Sequence, residues 1–197
     1  MKIIGITGPT GAGKTTALRA LKQLGVHIID ADAVYHGLLE DSASLRKALS
    51  VRFGDIFDEA GKLDRKKLGT IVFADEGALL DLNHITHQFV SQEIDRQLRL
   101  CRAEDRNAAI DAIALVESGL GERCDQVVGV LAPEELRVRR IMVREGIPEE
   151  YARKRVGAQK GESFFRAHCD HILENSEGDT PEDFQSRALA LFQTLLH

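Results

Sequence analysis

Gly8-Pro9-Thr10-Gly11-Ala12-Gly13-Lys14-Thr15-Thr16 follows the apolar run Ile3-Ile4-Gly5-Ile6 and precedes Ala17-Leu18-Arg19-Ala20-Leu21. The spacing fits G-x-x-x-x-G-K-[ST], a phosphate-binding loop, and a strand before it with a helix after it is the setting that gives the pattern meaning. Glycines let the backbone curl and point its N–H groups inward. The next helix begins with its positive dipole end at the same phosphate. Lys14 can reach the β- and γ-phosphates, and the Thr15 hydroxyl can ligate Mg²⁺. The plain alternative is a Gly-rich turn between a strand and a helix. Nucleoside triphosphate binding is the stronger reading.

Working outward, five short apolar runs read as buried strands: residues 2–7, 27–30, 108–114, 126–131 and 171–174. Helical patterns separate them, which implies an α/β fold with a parallel sheet covered on both faces. No central strand stands out between residues 36 and 105. Leu45, Leu49 and Phe53, then Leu79, Leu80 and Leu82, recur there at helical spacing, so we expect a helical insert after the second strand. A basic helical segment, about 137–160, carries Arg137, Arg139, Arg140, Arg144, Arg153, Lys154, Arg155 and Lys160. It reads either as a lid closing over transferred phosphate or as a solvated face paired with Glu134, Glu135, Glu145, Glu149 and Glu150. Residues 181–196 read as a capping amphipathic helix starting near Thr180-Pro181.

Bulk properties narrow the classes. At 197 residues the chain suits one domain with an inserted lobe. Its net charge of −5, with no long basic tract, speaks against nucleic acid as a partner. No run approaches the roughly 20 apolar residues of a membrane span, and the strand and P-loop at the start leave no room for a secretory signal. Cys101, Cys124 and Cys169 are odd in number and far apart, which suits a reducing cytoplasm. His168-Cys169-Asp170-His171 matches no zinc spacing.

Asp30-Ala31-Asp32 closes the second strand, and ligands of open α/β sheets bind at the carboxyl ends of strands. Two carboxylates there could assist Mg²⁺ and accept a proton from an attacking hydroxyl. Asp30 and Asp32 share a side while the chain stays extended. Otherwise Asp32 is the N-cap of the next helix. No N-K-x-D guanine motif occurs, and the strand at Val127-Val128-Gly129-Val130-Leu131 ends in Ala132-Pro133 rather than in acids. Asp111 and Glu117 are weaker acidic candidates. The balance favours a small-molecule kinase.

These residues bring a family into view. Gly8 to Thr16 with Leu24-Gly25-Val26-His27-Ile28-Ile29-Asp30-Ala31-Asp32, then Arg52-Phe53-Gly54, Gly61-Lys62-Leu63-Asp64-Arg65-Lys66-Lys67-Leu68, Gln159 and Asp170-His171-Ile172-Leu173-Glu174-Asn175, resemble the dephospho-coenzyme A kinase family over essentially the whole length. That resemblance implies a nucleoside-monophosphate-kinase-like P-loop sandwich with five parallel strands, the helical insert as acceptor lobe, and a lid. It implies ATP and Mg²⁺ as cofactors, and transfer of the γ-phosphoryl group to the ribose 3′-hydroxyl of dephospho-coenzyme A. Catalytic roles would fall to Asp32 as base, Lys14 and Arg140. Gly11, Ala12, Gly13, Lys14, Thr15 and Thr16 would cradle ATP, with Thr15 on the metal. Asp32, Arg65 and His87 would meet the acceptor. The sequence departs from the family at Asp111-Ala112-Ile113-Ala114-Leu115-Val116-Glu117, which lacks a proline, and at His87-Gln88, where a His-Pro pair is usual. A kinase of this fold for another small hydroxyl or nucleotide acceptor is one alternative; a non-catalytic ATP sensor is another.

Overall fold

The computed structural model describes residues Met1–His197. The chain divides into two compact units, one built from Met1–Ile29 with Leu100–His197 and the other from Asp30–Arg99.

The first unit contains the strands β1 (Ile3–Thr7), β3 (Ala108–Asp111), β4 (Gln126–Leu131) and β5 (His171–Glu174), and most of β2 (His27–Asp30). Their order across the sheet is β2-β3-β1-β4-β5, so β1 is central. β1 runs parallel to β3 and β4, and β4 parallel to β5. The fold class read from the sequence is therefore present. Alternation along β1 sends Ile4 and Ile6 to one face. There they pack with Ala17, Ala20 and Leu21 of α1 (Lys14–Gln23) and with Phe184, Ala188 and Phe192 of α9 (Pro181–Leu196). On the other face a side chain at Gly5 would collide with Leu115 and Cys124, so that face is tightly covered as well. Thr180 caps α9 through a capping box with Asp183, with Pro181 in the first turn.

β3 is shorter than the run 108–114. Its last ladder bond, Ala112 N–H to Ile6 O at 3.2 Å, lies one residue before β1 ends. Past Thr7 the chain turns into the P-loop, so no parallel partner remains for residues 113 and 114. The Thr7 hydroxyl instead donates to Ile113 O at 2.9 Å, and residues 113–119 form turns.

Also in this unit, α6 (Glu134–Glu145) and α7 (Glu149–Gly157) form a helical hairpin held by Val138, Ile141, Ala152 and Val156. Gly146, with φ of 65°, ends α6, and Pro148 precedes α7. A short helix α8 (Glu162–His168) leads to β5.

The unit Asp30–Arg99 is helical: α2 (Ala31–Asp41), α3 (Ala43–Phe53), α4 (Arg65–Ala74) and most of α5 (Glu76–Ala103). Leu39, Leu45, Leu49, Phe53, Ile56, Leu68, Val72 and Ala78 form its own core. Ser42 caps α3 and Asp64 caps α4 with side-chain oxygens.

Candidate active site

The P-loop runs from Gly8, at the end of β1, to Lys14, the first residue of α1. Two of its glycines are sterically required. Gly8 has φ of 139°, and a side chain there would overlap the Val130 carbonyl oxygen. Gly13 has φ of 110° at the N-cap of α1, and a side chain would overlap the Asn175 amide. α1 opens without a side-chain cap; the Thr16 N–H donates to the Gly13 carbonyl at 3.0 Å, and the N–H groups of Lys14 and Thr15 at the helix start suit a ligand.

Above the loop lies a cavity of about 380 Å³, lined by Pro9, Thr10, Gly11, Gly13, Lys14, Thr15, Asp111, Ile113, Arg140 and Arg144. The Lys14 Nζ lies 3.9 Å from Asp111 Oδ1, with side chains only 16% and 15% exposed. Low exposure strengthens this pair and any interaction of Lys14 with a phosphate. The acidic residue at this site is thus Asp111, which the sequence reading ranked low. The register Ile6↔Asp111 beside β1 puts it at the carboxyl end of a strand next to the P-loop strand. Glu117 is exposed in the turn segment.

The basic segment separates into two groups. Arg153 pairs with Glu135 and Glu149, Arg155 with Glu145, Arg144 with Glu145, Lys154 with Glu150 and Arg139 with Glu177. These are exposed pairs that contribute little to stability. Arg137 and Arg140, three apart on one face of α6, turn inward instead. Arg137, 7% exposed, donates from Nε to Thr10 O at 3.0 Å and from Nη2 to Gln159 Oε1 at 2.9 Å. Arg140 donates to Gly11 O at 3.1 Å and to Asn175 Oδ1 at 3.2 Å. Burial lowers both guanidinium pKa values from their usual level without removing the charge. Asn175, 4% exposed just after β5, completes the set by donating from Nδ2 to Ala12 O at 2.9 Å. Three consecutive loop carbonyls, on Thr10, Gly11 and Ala12, are therefore held from outside. Asn175→Leu should leave an Arg140 N–H without its partner and the Ala12 carbonyl with only a long contact from Arg140 Nη1 at 3.5 Å, at a cost of about 1–3 kcal/mol. Denaturant unfolding of the nucleotide-free protein checks this; an unchanged midpoint would remove Asn175 from the support of the loop.

In the helical unit the chain is extended only through Asp30. Asp30 is the N-cap of α2, its Oδ1 accepting from the Ala33 N–H at 3.0 Å. Asp32 is the second residue of the helix, in its first turn and exposed, so the cap falls to Asp30 and the two carboxylates do not share an extended strand. The strand breaks there because Asp30 offers the orphan N–H groups of α2 an acceptor. A second cavity, about 460 Å³, is lined by His36, Leu39, Glu40, Arg46, Ala60, Gly61, Lys62, Leu63 and Arg65. Arg65, the first residue of α4, lies 3.4 Å from His36 Nδ1. His87 is exposed on α5 and does not line this cavity.

The tempting cluster 168–171 does structural work. His168 Nδ1 lies 2.7 Å from Phe164 O, Asp170 accepts from the Val127 N–H at 2.7 Å, and His171 Nε2 lies 2.8 Å from Gln126 Oε1. Burial pushes the Cys169 thiol up to about 11 and Cys124 to about 12, so both stay protonated at neutral pH.

A family model described as dephospho-CoA kinase matches residues 2–180. The chain belongs to the dephospho-CoA kinase family. It is 38% identical over 178 residues to the dephospho-CoA kinase of Corynebacterium diphtheriae, with 89% of each chain covered. It is 35% identical over 193 residues to that of Thermobifida fusca, covering 98% of this chain and 95% of the relative. Among solved structures, a Thermus thermophilus protein superposes with a TM-score of 0.83 at 31% identity, covering 100% and 98% of the two chains. Dephospho-CoA kinase from Campylobacter jejuni superposes at 0.71 and 27%, covering 98% and 96%. Shikimate kinase from Bacteroides thetaiotaomicron, at 0.54 and 18% identity, covering 99% and 98%, shares the fold. As a P-loop kinase of this family the chain uses a nucleoside triphosphate. No helix is long and apolar enough to cross a membrane.

Proposed function

We propose that this protein transfers the γ-phosphoryl group of ATP to the ribose 3′-hydroxyl of dephospho-coenzyme A, giving coenzyme A and ADP. The observation that carries the reading is the cation-lined P-loop cavity with Lys14 and Asp111 at its floor, in a chain of this family. The new bond joins the ribose oxygen to the γ-phosphorus, the β–γ bridge breaks toward ADP, and the hydroxyl proton passes to Asp32. Lys14 neutralises charge on the β- and γ-phosphates, and the loop of residues 11–16 cradles them. Arg140 adds fixed positive charge beside the loop as negative charge spreads over the transferred group. A nucleotide-bound Mg²⁺ keeps several waters and needs only one or two protein oxygens, a demand the Thr15 hydroxyl and Asp111 carboxylate around this cavity fit. Bound there, the metal would neutralise negative charge on the phosphates. The three free cysteines accord with a cytoplasmic setting.

On the acceptor side, Arg65 and His87 are our candidates, with the His36–Arg65 cavity supporting Arg65. An arginine grips phosphate with two hydrogen bonds, and the acceptor carries a diphosphate. Arg65→Ala should raise KM for dephospho-coenzyme A about tenfold or more and leave KM for ATP unchanged. Equal acceptor KM in variant and wild type would take Arg65 out of the site. A panel of hydroxyl acceptors, read by ADP release with ATP and Mg²⁺, tests the reading as a whole. Turnover with dephospho-coenzyme A above all others supports it. Preference for another small hydroxyl acceptor would favour the second reading, to which the exposed His87-Gln88 departure points. ATP binding without turnover on any acceptor would leave a sensor.

A further inference from the structure

Thr10 lies on the wall of the P-loop cavity, and two side chains account for its backbone. Its N–H donates to Gln159 Oε1 at 3.0 Å, and its carbonyl accepts from Arg137 Nε at 3.0 Å. Arg137 Nη2 donates to the same Gln159 oxygen at 2.9 Å. Both groups facing that end of the amide are N–H donors, so oxygen must stand there and nitrogen at the other end. Gln159 Nε2 then has one direction available and donates to Thr10 Oγ1 at 2.9 Å. A hydroxyl carries one proton and two lone pairs. The contact to Gln159 occupies a lone pair, and none of the bonds that hold Thr10 uses its proton.

We propose that Thr10 is a further phosphate-contacting residue, its hydroxyl donating to a phosphoryl oxygen of bound ATP, with Gln159 and Arg137 as the positioning residues that set the direction of that proton. The inference rests on the reading of the P-loop cavity as the ATP site. It adds one side-chain donor to the backbone donors of the loop. The Arg137 charge polarises the Gln159 carbonyl, and through the amide strengthens the Nε2 donor and hence the Thr10 hydroxyl as a donor in turn. Gln159 sits in the segment after α7, and Arg137 on α6, so both ends of the helical hairpin meet the loop at Thr10.

The test is direct titration of the intact protein with ATP and Mg²⁺, which needs no acceptor. Thr10→Val keeps the shape and both backbone contacts of residue 10 and deletes only the hydroxyl. It should raise the ATP dissociation constant about tenfold, with Thr10→Ser restoring most of the affinity. Gln159→Glu keeps an oxygen for the Thr10 N–H and Arg137, but its second oxygen accepts, so the Thr10 proton turns away from the nucleotide. It should weaken ATP comparably, and the double variant should lose little more than either single one. Wild-type affinity in Thr10→Val, or additive losses in the double variant, would overturn the proposal and leave Thr10 a structural anchor. Thermal melts of each nucleotide-free variant separate these outcomes from unfolding. A wild-type protein that failed to bind ATP at all would instead overturn the reading of the cavity.

Discussion

Lys14→Ala should lower kcat/KM for ATP by about 10²–10³-fold, the range seen when one preorganised charge-stabilising group is removed from a dry site. Lys14 is 16% exposed and its ammonium faces the cavity floor with Asp111, so water replaces little of its effect. The substitution places a strong helix former at the first position of α1, and the fold should persist. The loss should therefore appear with a melting temperature close to that of wild type. Steady-state turnover beside ATP titration checks it. Near-normal activity in the variant would contradict the assignment of the loop to the phosphates.

Asp32→Asn should cut kcat by about 10²–10⁴-fold, the usual contribution of a general base, with ATP affinity little changed. The amide keeps the shape of the carboxylate and loses the proton acceptor. Asp30, not Asp32, caps α2, so the substitution leaves the cap bond to Ala33 in place. What Asp32 gives the helix is a negative charge in its first turn, worth about 0.3–1 kcal/mol. Stability and turnover are thus separable. A variant with normal turnover per folded molecule would reduce Asp32 to that helix role.

Much of this was legible from spacing alone. The glycines at 8 and 13 follow from backbone geometry, and the strand runs at 27–30, 126–131 and 171–174 coincide with β2, β4 and β5. The apolar run 108–114 is longer than β3 because the end of β3 depends on where its neighbour β1 stops, and no local pattern records that. Asp111 was underrated for the same reason: its place beside Lys14 comes from strand order β3-β1, which is a property of the sheet. Asp30 and Asp32 look alike in sequence; a single hydrogen bond to Ala33 makes one the cap. Among eight basic residues in the segment 137–160, the glutamates nearby explain most, whereas Arg137 and Arg140 needed the loop carbonyls to be seen. Gln159 and Asn175 stood out only as family-like motifs, since uncharged amides carry no periodicity and their partners lie 149 and 163 residues away.

The most direct measurement follows the phosphorus. Incubation with ATP labelled at the γ-position, Mg²⁺ and dephospho-coenzyme A should move the label into coenzyme A at the ribose 3′-oxygen, one ADP formed for each label transferred. Label released only as inorganic phosphate, or carried to a different acceptor while dephospho-coenzyme A stays unmodified, would contradict the account.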